Sequence, residues 1–216
     1  MSGPLFDLSA TCLGFYFLAF VPDGTGCPME VEDAPDFAEA RDRFLQRVQE
    51  VLASRTDLLD ALNCLNEGLE VRLHCGPGFF DEDGQVYFYG RVTREVDTLV
   101  LELATDEVLG GMRPGHEALD VVVHELTHVL DMMDEPLGHL PFQTAEQRAS
   151  FARLRERERQ AMADGRSALD PYALTDDKEF LAVAVETFFA KSDALRESSP
   201  ALWDYLNDYF LVEPAT

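Results

Sequence analysis

The segment VVVHELTHVLDMMD, residues 121–134, constrains this chain more than any other stretch. Leu119, Val122, Val123, Leu126, Leu130 and Met133 recur at helical spacing, and Val121 and Val129 add apolar character on other faces. A helix this apolar predicts burial, and it takes His124, Glu125 and His128 inside with it. Polar groups removed from water are costly unless hydrogen bonds or a metal satisfy them. Residues four apart share one helix face a turn apart, so the two imidazoles can serve one ion. Any fold of this chain must bring partners to that helix.

His124-Glu125-Leu126-Thr127-His128 is the pattern H-E-x-x-H. Imidazoles so placed bind zinc at about 2.0–2.1 Å. Glu125 lies beside them, within reach of a metal-bound water. Zinc lowers the pKa of that water to about 7, and a carboxylate can then take its proton as water attacks a peptide carbonyl. The motif therefore predicts zinc-dependent peptide hydrolysis with Glu125 as general base. The plainer alternative is a pair of hydrogen-bonded core histidines.

A catalytic zinc site keeps three protein ligands and one open position, so a third ligand is needed. Asp131 stands seven residues after His124 and shares its face. Glu179 and Glu186 are also seven apart, in or beside the apolar run FLAVAVETFF. Glu179 has a structural alternative, a capping box with Asp176. Spacing alone leaves Glu179, Glu186 and Asp131 all open. His116-Glu117 does not complete a second motif, because Asp120 occupies the partner position. His74, in a strand candidate, and His139, in a Gly-Pro loop, are expected to be structural or exposed.

The rest of the chain supplies the frame. Asp36 to Leu65 has helical apolar spacing in two pieces, and LEVRLH then alternates as a strand. FFDEDGQVYFYG reads as a hairpin turning at Asp83-Gly84, and Asp97 to Leu103 as a further strand. Helices are expected over roughly 116–133, 144–163, 177–190 and 201–210. Thr144 and Gln147 have capping-box spacing. Helices, then a small sheet, then helices predict an α+β domain, mostly helical. A divergent part over 1–95 and a catalytic part over 96–216 are expected to form one compact unit.

Composition narrows the partners. In 216 residues, 17 Lys+Arg stand against 41 Asp+Glu, a formal net charge of -24. Such a surface repels phosphate backbones and anionic lipid, which argues against nucleic acid and membrane, and it favours basic peptides or proteins. Cys12, Cys27, Cys64 and Cys75 form no C-x-x-C pair, so free thiols in a reducing cytosol are expected. The apolar run Leu8 to Val21 lacks a preceding basic segment and is shorter than a membrane helix, which predicts a buried strand or helix and a cytoplasmic location.

Two ordered blocks, VVVHELTHVLDMMDE with GHLPF and LDPYALTDDKEFLAVAVETFF, resemble the Mlc titration factor A family of zinc peptidases. The tail SPALWDYLNDYF fits as well. The resemblance covers roughly residues 115–213, and residues 1–95 depart from the pattern. It implies a zincin-like, gluzincin-type fold whose catalytic core is similar to the anthrax lethal factor peptidase domain. It also implies zinc on His124, His128 and Glu179, with Glu125 as base. The family pattern has a Tyr seven residues before the third ligand, which places Tyr172 as hydrogen-bond donor to the developing oxyanion. Asp131 and Glu186 then become candidates for orienting the imidazoles. Members are linked to aminopeptidase activity and to binding the glucose repressor Mlc. A regulatory protein that sequesters a transcription regulator, with zinc structural or regulatory, is therefore the alternative function. The strand near Leu99 to Leu103 is the expected edge for an extended peptide.

Overall fold

The computed structural model describes residues 15–22, 28–30, 36–65, 69–81, 84–96, 98–110, 120–134 and 137–210. Cys12, Cys27, Asp83, His116, Glu117 and the first half of the apolar N-terminal run lie outside the described residues.

The chain opens with strands β1 (Phe15–Pro22) and β2 (Pro28–Glu30), which pair antiparallel. The apolar N-terminal run is thus strand in its described half. Helices α1 (Phe37–Leu52) and α2 (Thr56–Asn63) follow, broken at the Ala53-Ser54 turn. They carry the chain to β3 (Leu69–His74), which lies parallel to β1. A short hairpin of β4 (Phe79–Phe80) and β5 (Tyr87–Phe88) leads into β6 (Gly90–Glu95), which pairs antiparallel with β7 (Thr98–Ala104). The five-stranded order is β2-β1-β3-β7-β6, mixed in direction. The architecture is α+β, with strands before the first helix as well as after it.

One expectation fails here. Strand β7 is hydrogen-bonded to β3 on one side and to β6 on the other, so it has no edge for a peptide. Its residues are buried from Leu99 to Ala104, as a strand covered on both faces requires. The edge is β6. Buried Glu102 of β7 is held by His74, at 3.0 Å, and by Arg91 of β6, so His74 is structural.

The second half is helical. A single turn, α3 (Thr105–Val108), follows β7, and α4 (Val121–Asp131) carries the H-E-x-x-H pattern. Then come α5 (Ala145–Ala163), a 3₁₀ turn (Pro171–Leu174), α6 (Asp177–Ala190), α7 (Ser192–Ser198) and α8 (Pro200–Phe210). The capping box of α5 forms in full between Thr144 and Gln147. Helix α4 packs on α6 and α1 and lies against β6 and β7. The core around it includes fully buried Phe44, Phe151, Phe180 and Phe210. Burying each such side chain contributes about 1.5–3 kcal/mol. Among the described residues, no helix is long and apolar enough to cross a membrane.

Candidate metal centre

Both helices that meet here are capped by an aspartate at their start. Asp120 accepts from the Val123 amide at 3.1 Å through Oδ1 and binds Arg47 at 2.6 Å through Oδ2. This fixes the first turn of α4 on α1. Asp176 accepts from the Lys178 and Glu179 amides at 2.8 and 2.9 Å. This is one half of a capping box; the Glu179 carboxylate does not complete it by bonding back to the Asp176 amide. It faces α4 instead.

His124 and His128 point from one face of α4, with ring centroids 5.0 Å apart and planes at 77°. Glu179 Oε2 accepts from His124 Nε2 at 3.1 Å and lies 3.5 Å from His128 Nε2. One donor atom from each of the three residues lies within 4.8 Å of the others, a group that can hold a metal ion. Two imidazoles and a carboxylate are suitable donors for a divalent transition metal.

Glu186, two turns further along α6, is buried behind His124. Its Oε2 accepts from His124 Nδ1 at 3.1 Å, and its Oε1 accepts from the Asp120 amide at 2.7 Å. With Nδ1 engaged there, Nε2 is aimed at Glu179. Burial alone would push the His124 imidazolium down, but the carboxylates of Glu179 and Glu186 outweigh it and raise its pKa to about 10. Burial would raise Glu179, yet the two histidines pull it down to about 2. The cluster thus concentrates negative charge around nitrogen donors, as a cation site does.

Asp131 is placed differently. Its Oδ1 accepts from the Gly138 and His139 amides at 2.6 and 3.1 Å, while its Oδ2 is buried with no hydrogen-bond partner among the described residues. It ties the following loop to the end of α4 and makes no hydrogen bond to an imidazole. His139 is buried in that loop, its Nδ1 3.3 Å from the Leu140 carbonyl oxygen.

Tyr172 sits on the 3₁₀ turn, which Asp170 starts by accepting from the Tyr172 amide at 2.8 Å. Its ring centroid is 6.1 Å from that of His124. Burial first, then the charges of Glu179, Glu125 and Asp176, raise its phenol above the ordinary range, so it stays protonated and can donate. Half of Tyr172 is exposed.

Glu125 is buried on α4 and meets the edge strand at Gly90. A Cβ at Gly90 would stand 2.7 Å from Glu125 Cγ and 2.8 Å from its Oε1. Only glycine permits this approach. Gly90 was not among the residues expected from sequence, although a glycine within a strand marks close backbone contact. Asp120 was missed too; it stands where an N-cap belongs, just before the apolar run.

Two cavities flank this cluster and share Phe88, Gly90, His124, Glu125 and Tyr172. One, of about 310 Å³, opens towards Tyr87, Tyr89 and Val183. The other, of about 230 Å³, opens towards Arg91, Lys178 and Leu137.

An uncharacterized protein of Synechocystis sp. is 26% identical over 165 residues, which cover 72% of this chain. The chain spans 58% of that relative's length. The sequence profile of the family described as glucose-regulated metallo-peptidase M90 matches residues 80–211, well over half of the chain. That match begins upstream of the 115–213 expected from the motif blocks and takes in Gly90 and the edge strand. The family's description implies a metal ion, and this chain, as its motif blocks led one to expect, belongs to the glucose-regulated metallo-peptidase M90 family.

Proposed function

We propose that this chain is a zinc-dependent peptidase, zincin-like in its site, with His124, His128 and Glu179 as ligands and Glu125 as general base. The observation that carries the reading is the convergence of both His Nε2 atoms, at 3.1 and 3.5 Å, on one oxygen of Glu179. Zinc bound there supplies Lewis acidity, lowering the pKa of water and polarising a carbonyl. The protein's own groups do the rest. Glu125 takes a proton from the attacking water and passes it to the leaving amine. Tyr172 donates its phenolic hydrogen to the oxygen on which charge develops. Glu186 keeps His124 turned with Nε2 towards Glu179. An extended substrate backbone pairs with the outer edge of β6, which passes Glu125 at Gly90. We assign the catalytic part to residues 80–211 rather than to a unit starting at 96, because Gly90 and β6 border the base.

The test is Glu125→Gln. Purified variant and wild type are compared for metal content by plasma mass spectrometry and for cleavage of peptides with free and acetylated N-termini. The variant should keep about one zinc per chain and lose at least about 100-fold in kcat. Cleavage at the wild-type rate would remove Glu125 from its role. Cleavage restricted to free N-termini would assign an aminopeptidase.

A further inference from the structure

The larger cavity has chemistry of its own. The chain runs Tyr87-Phe88-Tyr89 along its wall and then meets Glu125 at Gly90, so the cavity is continuous with the reacting groups. Val121 and Val183 close it with apolar surface. Its other carboxylates are already engaged. Both oxygens of Glu186 accept hydrogen bonds, from His124 and from the Asp120 amide. Asp170 accepts from the Tyr172 amide. The lining thus offers a guest chiefly aromatic rings and aliphatic methyls, from Tyr87, Phe88, Tyr89, Val121 and Val183.

The rings are also held in a series. Phe80 and Tyr87 meet edge to face at 4.9 Å between centroids, and Tyr87 meets Tyr89 at 5.3 Å and 87°. Tyr87 lies directly over Gly78, where a Cβ would stand 2.4 Å from the ring. The glycine lets the ring seat against backbone. Phe80 and Tyr87 remain substantially exposed, so the series leads from solvent into the cavity. Preset aromatic faces bind another ring or a branched aliphatic chain without ordering cost to the protein.

We infer that this cavity is a specificity subsite that selects a large apolar or aromatic side chain next to the cleaved bond, with Tyr87 as its outer wall. The inference rests on the peptidase reading, and it runs against the bulk charge of -24, which taken alone favours basic side chains.

The test uses one Gly-rich peptide frame in which the residue on either side of the cleaved bond is Phe, Leu, Ala or Lys. Zinc-loaded protein should cleave the Phe and Leu peptides at least about 10-fold faster, by kcat/KM, than the Ala and Lys peptides at one of the two positions. Tyr87→Ala should reduce that ratio about 3- to 10-fold, and Tyr87→Phe, which keeps the ring, should retain it. Equal cleavage of all four, or a preference for Lys, overturns the inference. The same peptides, carrying a dye, are titrated onto Glu125→Gln protein by fluorescence anisotropy. Phe-selective binding that depends on the Tyr87 ring, with no cleavage by wild type, would keep the subsite and remove the peptidase reading. No selectivity in binding would overturn the subsite itself.

Discussion

At the scale of single residues, the site turns on two glutamates that sequence spacing could not tell apart. Glu179 and Glu186 lie seven residues apart on α6 and present the same face. The packing of α6 on α4 sets Glu179 against Nε2 of both histidines and Glu186 behind Nδ1 of one. A carboxylate that orients a ligating imidazole contributes to affinity without touching the metal. Replacing Glu186 with Gln should therefore weaken zinc binding about 10- to 100-fold while leaving the stoichiometry at one. Competition with a chromophoric chelator measures this. Affinity within twofold of wild type would mean that His124 is oriented by something else. The spacing that placed Asp131 on the same face as His124 was sound as geometry. What it lacked was the loop at Gly138 and His139, whose amides claim the carboxylate.

At the scale of elements, Glu125, the proposed base, is positioned by a contact between a helix and an edge strand. Strand β6 can pass α4 closely because Gly90 has no side chain. Gly90→Ala places a methyl within 2.9 Å of Glu125 and Val121 atoms, so one partner must move. The base is the partner free of the backbone ladder, so it should yield first. We expect kcat to fall at least about 10-fold with metal content unchanged, and stability to fall by about 1–3 kcal/mol. Paired steady-state and denaturant measurements would decide, and wild-type kcat in a folded variant would show that the contact is not functional. Most elements were legible in the sequence for stated reasons. The alternation in LEVRLH and the capping box of Thr144 and Gln147 encode β3 and the start of α5. Strand β6, GRVTRE, was not legible: its burial is intermediate and its polar residues blur the period of two. The same blindness put the edge at β7. Local pattern reports burial, not which strand lies outermost, and strand order is fixed by pairings distant in sequence.

At the scale of the whole molecule, the ion cluster links the stability of the fold to pH and to metal. In the metal-free protein, His124 holds its proton up to about pH 10, because Glu179 and Glu186 outweigh the effect of burial. An unfolded histidine titrates near 6.5. The folded pKa is the higher one, so the stabilisation is complete below about pH 6.5 and is lost as pH rises towards 10. On the acid side Glu179, held down to about 2, keeps the pair charged throughout the ordinary working range. The metal-free Tm should therefore fall between pH 7 and 10, by about 5 °C or more. Mutual repulsion in a chain of net charge -24 also grows with pH, so a fall alone decides nothing. His124→Asn separates the two contributions, because it changes the bulk charge by only a single unit but removes the titrating ring. Its Tm should vary less with pH over this range than that of the metal-free wild type. Zinc should likewise flatten the wild-type profile, because it takes the place of the proton on Nε2 and its affinity increases as protons leave the ligands. Parallel slopes for the wild type and His124→Asn would show that the cluster does not couple protonation to folding, and the alkaline loss would then belong to bulk charge.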